Sequence, residues 1–230
     1  MRRLTILTLA LVAAGCAASG TSSTPNSADL LIHVKAVPKS GWQAGAGYGG
    51  GAAPPSGPFA QVNYESLDGI VVWIEPSEKP PVRALEPLVI DISRPRSGQL
   101  VCEAGRPCVL DSSEKVQSAF LRTETGEILG LGKVQSEEKL ELPRNLSGQV
   151  EVMIASQDEP VARVYFAPSM FAKVASGGQV LRVPDLPPGR CTVTAWHERL
   201  PGSSTVVTLV PGKPAKAVVV VGVDQLSKQP

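Results

Sequence analysis

The chain has 230 residues, with 22 Lys and Arg against 21 Asp and Glu, so its formal net charge is +1. A balance so near neutral gives no electrostatic case for binding nucleic acid or an anionic surface. Aromatic residues make up 4% of the chain, so any core is built mainly from Val, Leu and Ala, and 21 Pro with 22 Gly leave little room for long helices.

Arg2 and Arg3 form a short positive start, and Leu4 to Ala14 is an apolar run. The run has the length of a secretory signal core and is too short to span a bilayer. Ala13-Ala14-Gly15-Cys16 follows at once. Small residues before a cysteine at this place resemble the lipobox of bacterial lipoproteins, although Ala13 stands where that family usually has Leu. The resemblance implies cleavage after residue 15, palmitate or similar acyl chains on Cys16, and attachment to a membrane. One acyl chain holds a protein at a membrane only marginally, whereas two or more hold it stably. Ala17 in place of Asp implies, on the same resemblance, sorting to the outer membrane. Cleavage would leave 22 − 2 = 20 basic residues against 21 acidic ones.

Residues 16–29 read as a flexible tether, because Ala17 to Asp29 is small and polar and cannot bury a core. Leu30 to Ala36 alternates as a strand does. Residues 41–57 (GWQAGAGYGGGAAPPSG) read as an exposed glycine-rich loop on which Trp42 and Tyr48 are candidate binding residues. Ile70 to Glu75 is a continuous apolar run. Further strands are expected at Leu88–Ile92, around Gly105, and at Ala119–Thr123, Lys139–Leu142, Val150–Ala155 and Val161–Phe166. The series ends with Val180–Val183, Cys191–His197, Thr205–Val210 and Ala215–Val221. Val, Ile and Thr dominate these runs, and their spacing suits sandwiches or barrels. The expected fold class is therefore all-β.

Cys102 and Cys108 flank Glu103-Ala104-Gly105-Arg106-Pro107. In a hairpin they would face each other, with Cα atoms about 4.5–5.5 Å apart, within disulfide range. A disulfide is expected there, contributing roughly 2 kcal/mol through chain entropy; two buried thiols on neighbouring strands are the alternative. Cys191 reads as a small buried hydrophobe.

From Gly69 onward the motifs take a specific order: Gly69 to Pro76 (GIVVWIEP), Gly105 to Leu110, Gly148 to Asp158, Val161 to Phe166, then Leu186 to Leu200 (LPPGRCTVTAWHERL). This series resembles exported bacterial proteins labelled methylamine-utilisation-like or cupredoxin-like. The resemblance implies a Greek-key, plastocyanin-type sandwich over residues 30–166, with the strands at 30–36 and 70–75 able to pair with either part. It implies a carboxypeptidase-regulatory, transthyretin-like segment over 167–224. Residues 1–15 remain the signal and 16–29 the tether. The family's copper ligands do not carry over: Ile154 stands for the thiolate and Gln157 for an imidazole, with only Asp158 kept. Blue-copper sites need two imidazoles and a thiolate converging on one ion, so no metal or other cofactor is expected.

No Gly-x-Ser-x-Gly or His-Glu-x-x-His is present. His197 and its neighbour Glu198 fall on opposite faces of an extended strand, so they form no dyad, and His197 reads as structural or as a candidate binding residue. The expected function is a non-enzymatic, lipid-anchored cell-envelope lipoprotein that binds or scaffolds an envelope protein or glycan. Two alternatives stay open: a copper or redox accessory protein using His33 or His197, and a carbohydrate- or peptidoglycan-binding module using Trp42, Tyr48 or Trp73.

Overall fold

The computed structural model describes residues 27–38, 64–78, 80, 84–113, 117–135 and 139–222. Cys16, the tether before Ser27, and the loop carrying Trp42 and Tyr48 lie outside the described residues. Within them the chain forms fifteen strands, one 3-10 turn at Tyr64–Ser66 and no α-helix. The strands are β1 (Ala28–Ala36), β2 (Ile70–Pro76), β3 (Leu88–Asp91), β4 (Gln99–Cys102), β5 (Cys108–Asp111), β6 (Gln117–Thr123), β7 (Ile128–Val134) and β8 (Leu140–Glu141). They continue with β9 (Gly148–Ile154), β10 (Ala162–Phe166), β11 (Phe171–Ala175), β12 (Val180–Leu186), β13 (Gly189–Trp196), β14 (Ser204–Leu209) and β15 (Ala215–Val221).

Four sheets result: β12-β1-β15, β11-β2-β13-β14, β4-β10-β9-β6-β7 and β3-β5-β8. The first two enclose one core. Leu30, Ile32 and Val34 of β1 and Ala217, Val219 and Val221 of β15 face Ile70, Val72, Ile74, Val193 and Ala195 across it. Alternation along each strand creates this face, because successive side chains point to opposite sides. Each fully buried Val, Leu or Ile contributes about 1.5–3 kcal/mol. The other two sheets enclose a second core that includes Ile90, Leu110, Leu121, Val150, Val152, Ile154 and Val164.

This arrangement decides where strands 30–36 and 70–75 belong, which the sequence left open. β1 lies between β12 and β15, running parallel to β15 from Leu30↔Ala215 to Ala36↔Val221. β2 lies between β11 and β13, antiparallel to both. The two N-terminal strands are thus central in the sheets of the C-terminal core, and residues 88–166 form a sandwich inserted in the chain between β2 and β11. The segment after residue 166 has no closed sheet of its own. Without β1 and β2 each of its sheets would be split at the middle.

The inserted sandwich contains two parallel pairs, β3 with β5 and β4 with β10. The hairpin expected around Gly105 is absent for this reason. β4 and β5 belong to different sheets, and residues 103–107 turn the corner between them. Gly105, at φ 81°, supplies the left-handed step. The Arg106 N–H donates to the Glu103 carbonyl at 3.0 Å, and the two side chains form an ion pair at 2.8 Å.

The expected disulfide is corrected with the hairpin: Cys102 and Cys108 are free, buried thiols. They meet within the second core, on strands of different sheets rather than across a ladder, and their thiols interact by a hydrogen bond. That bond holds the Cys102 thiol below its ordinary range, although burial opposes the shift. The same bond, with burial, pushes Cys108 strongly upward. The Cys102 thiol also donates to the Arg106 carbonyl at 3.4 Å.

Candidate functional site

The two sandwiches join back to back. Val71, Trp73 and Ala172 point out of the first core and meet Tyr165 and Ala167 of the inserted one, with Val101 and Trp196 packed against them. β2 is therefore buried on both faces, which explains why its run is continuously apolar instead of alternating. The Trp73 and Tyr165 rings stack with centroids 5.6 Å apart, and Tyr165 and Trp196 lie at 4.4 Å with a tilt of 39°. Trp73 closes its polar end locally, donating from Nε1 to Glu75 Oε2 at 2.9 Å. Burial raises the Tyr165 phenol, and the Glu124 and Glu75 carboxylates raise it further.

Polar side chains rim this junction. On the inserted sandwich, Gln149 and Glu151 of β9 face outward while Val150 and Val152 face the core. Glu151 accepts from Arg122 on β6 at 2.6 Å and from Arg163 on β10 at 3.3 Å. One carboxylate thus ties three neighbouring strands. Across the junction, Gln149 Nε2 donates to Glu198 Oε2 at 3.4 Å. Gln149 Oε1 is buried and accepts no hydrogen bond.

These groups bound two clefts. One, of about 460 Å³, is lined by Arg122, Glu124, Gln149, Glu151, Trp196, Glu198 and Arg199, with Thr123 and Gly126. The other, of about 380 Å³, lies against Asp68, Gln99, Arg163, Ser176, His197 and Glu198 among others. Glu198 borders both, so the clefts flank it along the seam between the sandwiches. Seams between packed units are a preferred location for ligand sites.

His197 is 6% exposed and lines the second cleft at this seam. Its Nδ1 accepts the Arg199 N–H at 3.2 Å, and a further hydrogen bond joins the ring to the Asp68 backbone. With Nδ1 accepting, the neutral ring carries its proton on Nε2. Burial lowers its pKa; Glu198 pulls the other way, Arg199 adds to the lowering, and the Asp68 bond opposes it.

Comparison with protein-family models, curated proteins and solved structures finds no match. The site is therefore read from its own residues. Of the candidates named from sequence, His197 reaches the seam, while Trp73 is 9% exposed and gives its faces to packing. His33 lies on β1 between the core-facing Ile32 and Val34, so its side chain is on the outer face of that sheet. Among the described residues, no group of three or more His, Cys, Asp or Glu is placed to hold a metal ion. Sequence reasoning missed Arg122, Gln149, Glu151, Trp196 and Arg199 as a set. The only local trace was the alternation of polar and apolar residues in Gly148–Ile154.

Proposed function

We propose that this chain is a non-enzymatic, lipid-anchored protein of the bacterial cell envelope, held through Cys16, whose paired sandwiches act as a binding module. The observation that carries the binding role is the polar seam: two rigid cores clamp three aromatic rings between them and leave a charged groove along the joint. The run Arg2 to Cys16 supports export and acylation. Lipid then supplies location, and the polar segment Ala17 to Asn26 supplies reach; Ala28 and Asp29, expected at the end of that tether, belong to β1 instead. An outer-membrane address follows from Ala17 by resemblance.

Kinship with cupredoxin-like exported proteins is part of the same proposal. The two parallel strand pairs of the inserted sandwich support it. So does the match of GIVVWIEP and LPPGRCTVTAWHERL to the family's order of motifs. Ile154 and Gln157, where the family has a thiolate and an imidazole, make this a member without copper chemistry at that position.

Cells fed a palmitate analogue test the anchor. The intact protein is expected to take up label and sediment with membranes, and Cys16→Ala is expected to lose the label and fractionate as soluble. Membrane retention of an unlabelled wild-type protein overturns the assignment.

A further inference from the structure

We infer that the seam groove binds a segment of neutral, hydroxyl-rich oligosaccharide, laid against Trp196 and held at its edges by Glu198, Arg199 and Gln149. This rests on the binding-module reading and gives it a ligand class. Size comes first. A cleft of about 460 Å³ falls in the range of small-ligand sites. A second, separate cleft of about 380 Å³ also borders Glu198.

The charges select the ligand. Beside Trp196 the lining carries the guanidiniums of Arg122 and Arg199 and the carboxylates of Glu124, Glu151 and Glu198. Opposite signs are interleaved, so a polyanion gains no net attraction. An apolar ligand would strip water from five charged groups without replacing their hydrogen bonds, which is costly. A saccharide avoids both penalties. Each hydroxyl donates and accepts, and neighbouring hydroxyls can bridge the two oxygens of a carboxylate or the fork of a guanidinium. The C–H face of a sugar ring packs on an indole, which pairs a large apolar surface with a polar edge.

Preorganisation adds to the fit. Glu151 is pinned by Arg122 and Arg163, and Trp196 is backed by Tyr165, so the lining is in place before a ligand arrives. Gln149 borders the groove with Nε2 on Glu198 and with an Oε1 that accepts nothing.

The test uses the full chain in a detergent without a sugar head group. Cellotetraose, chitotetraose, mannotetraose and maltotetraose are titrated separately by calorimetry and tryptophan fluorescence. At least one is expected to bind saturably. Glu198→Ala and Arg199→Ala, both on the surface, are each expected to weaken that binding by about tenfold, the loss of one charged hydrogen bond. Trp196→Leu is expected to abolish it, and Lys213→Ala, on a distant turn, to leave it unchanged. No binding to any of the four sugars overturns the inference, as does binding that survives Glu198→Ala and Arg199→Ala, or tighter binding of dextran sulfate. Palmitate labelling is independent of all three results, so the anchor stands or falls separately.

Discussion

Tyr165 and Trp196 come from different cores, and their ring centroids lie 4.4 Å apart. With Trp73 also stacked on Tyr165 at 5.6 Å, they form the contact that makes two sandwiches one body. The polar groove exists because these rings hold its two walls together.

Tyr165→Ala removes the middle ring. Truncating a buried aromatic costs about 3–5 kcal/mol, and each aromatic pair adds about 0.5–1.5 kcal/mol beyond its area. The variant is expected to lose stability by an amount in this range. Its thermal transition should split into two, since each sandwich keeps its own core. Scanning calorimetry reads both effects; a single, unshifted transition would show that the rings do not couple the units.

His197 makes stability depend on pH. Its folded pKa is depressed by burial below the unfolded value of about 6.5. The unfolded chain therefore binds the proton more readily as pH falls. The His197 contribution is complete above about pH 6.5 and is lost as pH falls from there toward the lowered folded value. Urea denaturation from pH 8 to pH 5 should show wild type losing stability in that window, and His197→Gln losing less.

Gly202 sits where no side chain fits. A Cβ there would lie 1.8 Å from the Ala195 carbonyl oxygen, on the strand that carries Trp196. The neighbour is backbone and cannot rotate away. Gly202→Ala is expected to cost at least about 1–3 kcal/mol, the usual range for overpacking. Gly98→Ala is the control, with nothing within 4 Å of the added atom. Denaturation midpoints of the two variants decide the point.

Cys191 is 2% exposed in the first core, and burial raises its thiol pKa although a backbone hydrogen bond at Val207 pulls the other way. Thiolate is the reactive form. Maleimide at neutral pH is expected to leave Cys191 unmodified in the folded protein and to label it fully in denaturant. Rapid labelling of the native protein would contradict the packing described for β13.

Most strands were legible because alternation is local. Ala215–Val221 and Ile70–Pro76 fall where their apolar patterns place them. Two strands were missed. Ile128–Val134 contains Gly130 and Gly132 and is exposed over most of its length, so it shows no buried face; it is an edge strand held by β6 alone. Phe171–Ala175 is short and lies close to Pro168 and Gly177, so it resembled a turn. The Cys102–Cys108 hairpin was misread because seven residues that turn a sheet corner look the same as seven that form a hairpin.

By itself the sequence determined that the chain is all-β and where most of its strands begin and end, since side-chain alternation acts over neighbouring residues. Tertiary structure alone decided that β1 pairs with β15 from Leu30↔Ala215, that residues 88–166 are an insertion, and that Trp196, Gln149 and Glu198 line one groove. Pairing between distant strands depends on which faces must be hidden together from water. That choice belongs to the whole chain, and no short window of residues contains it.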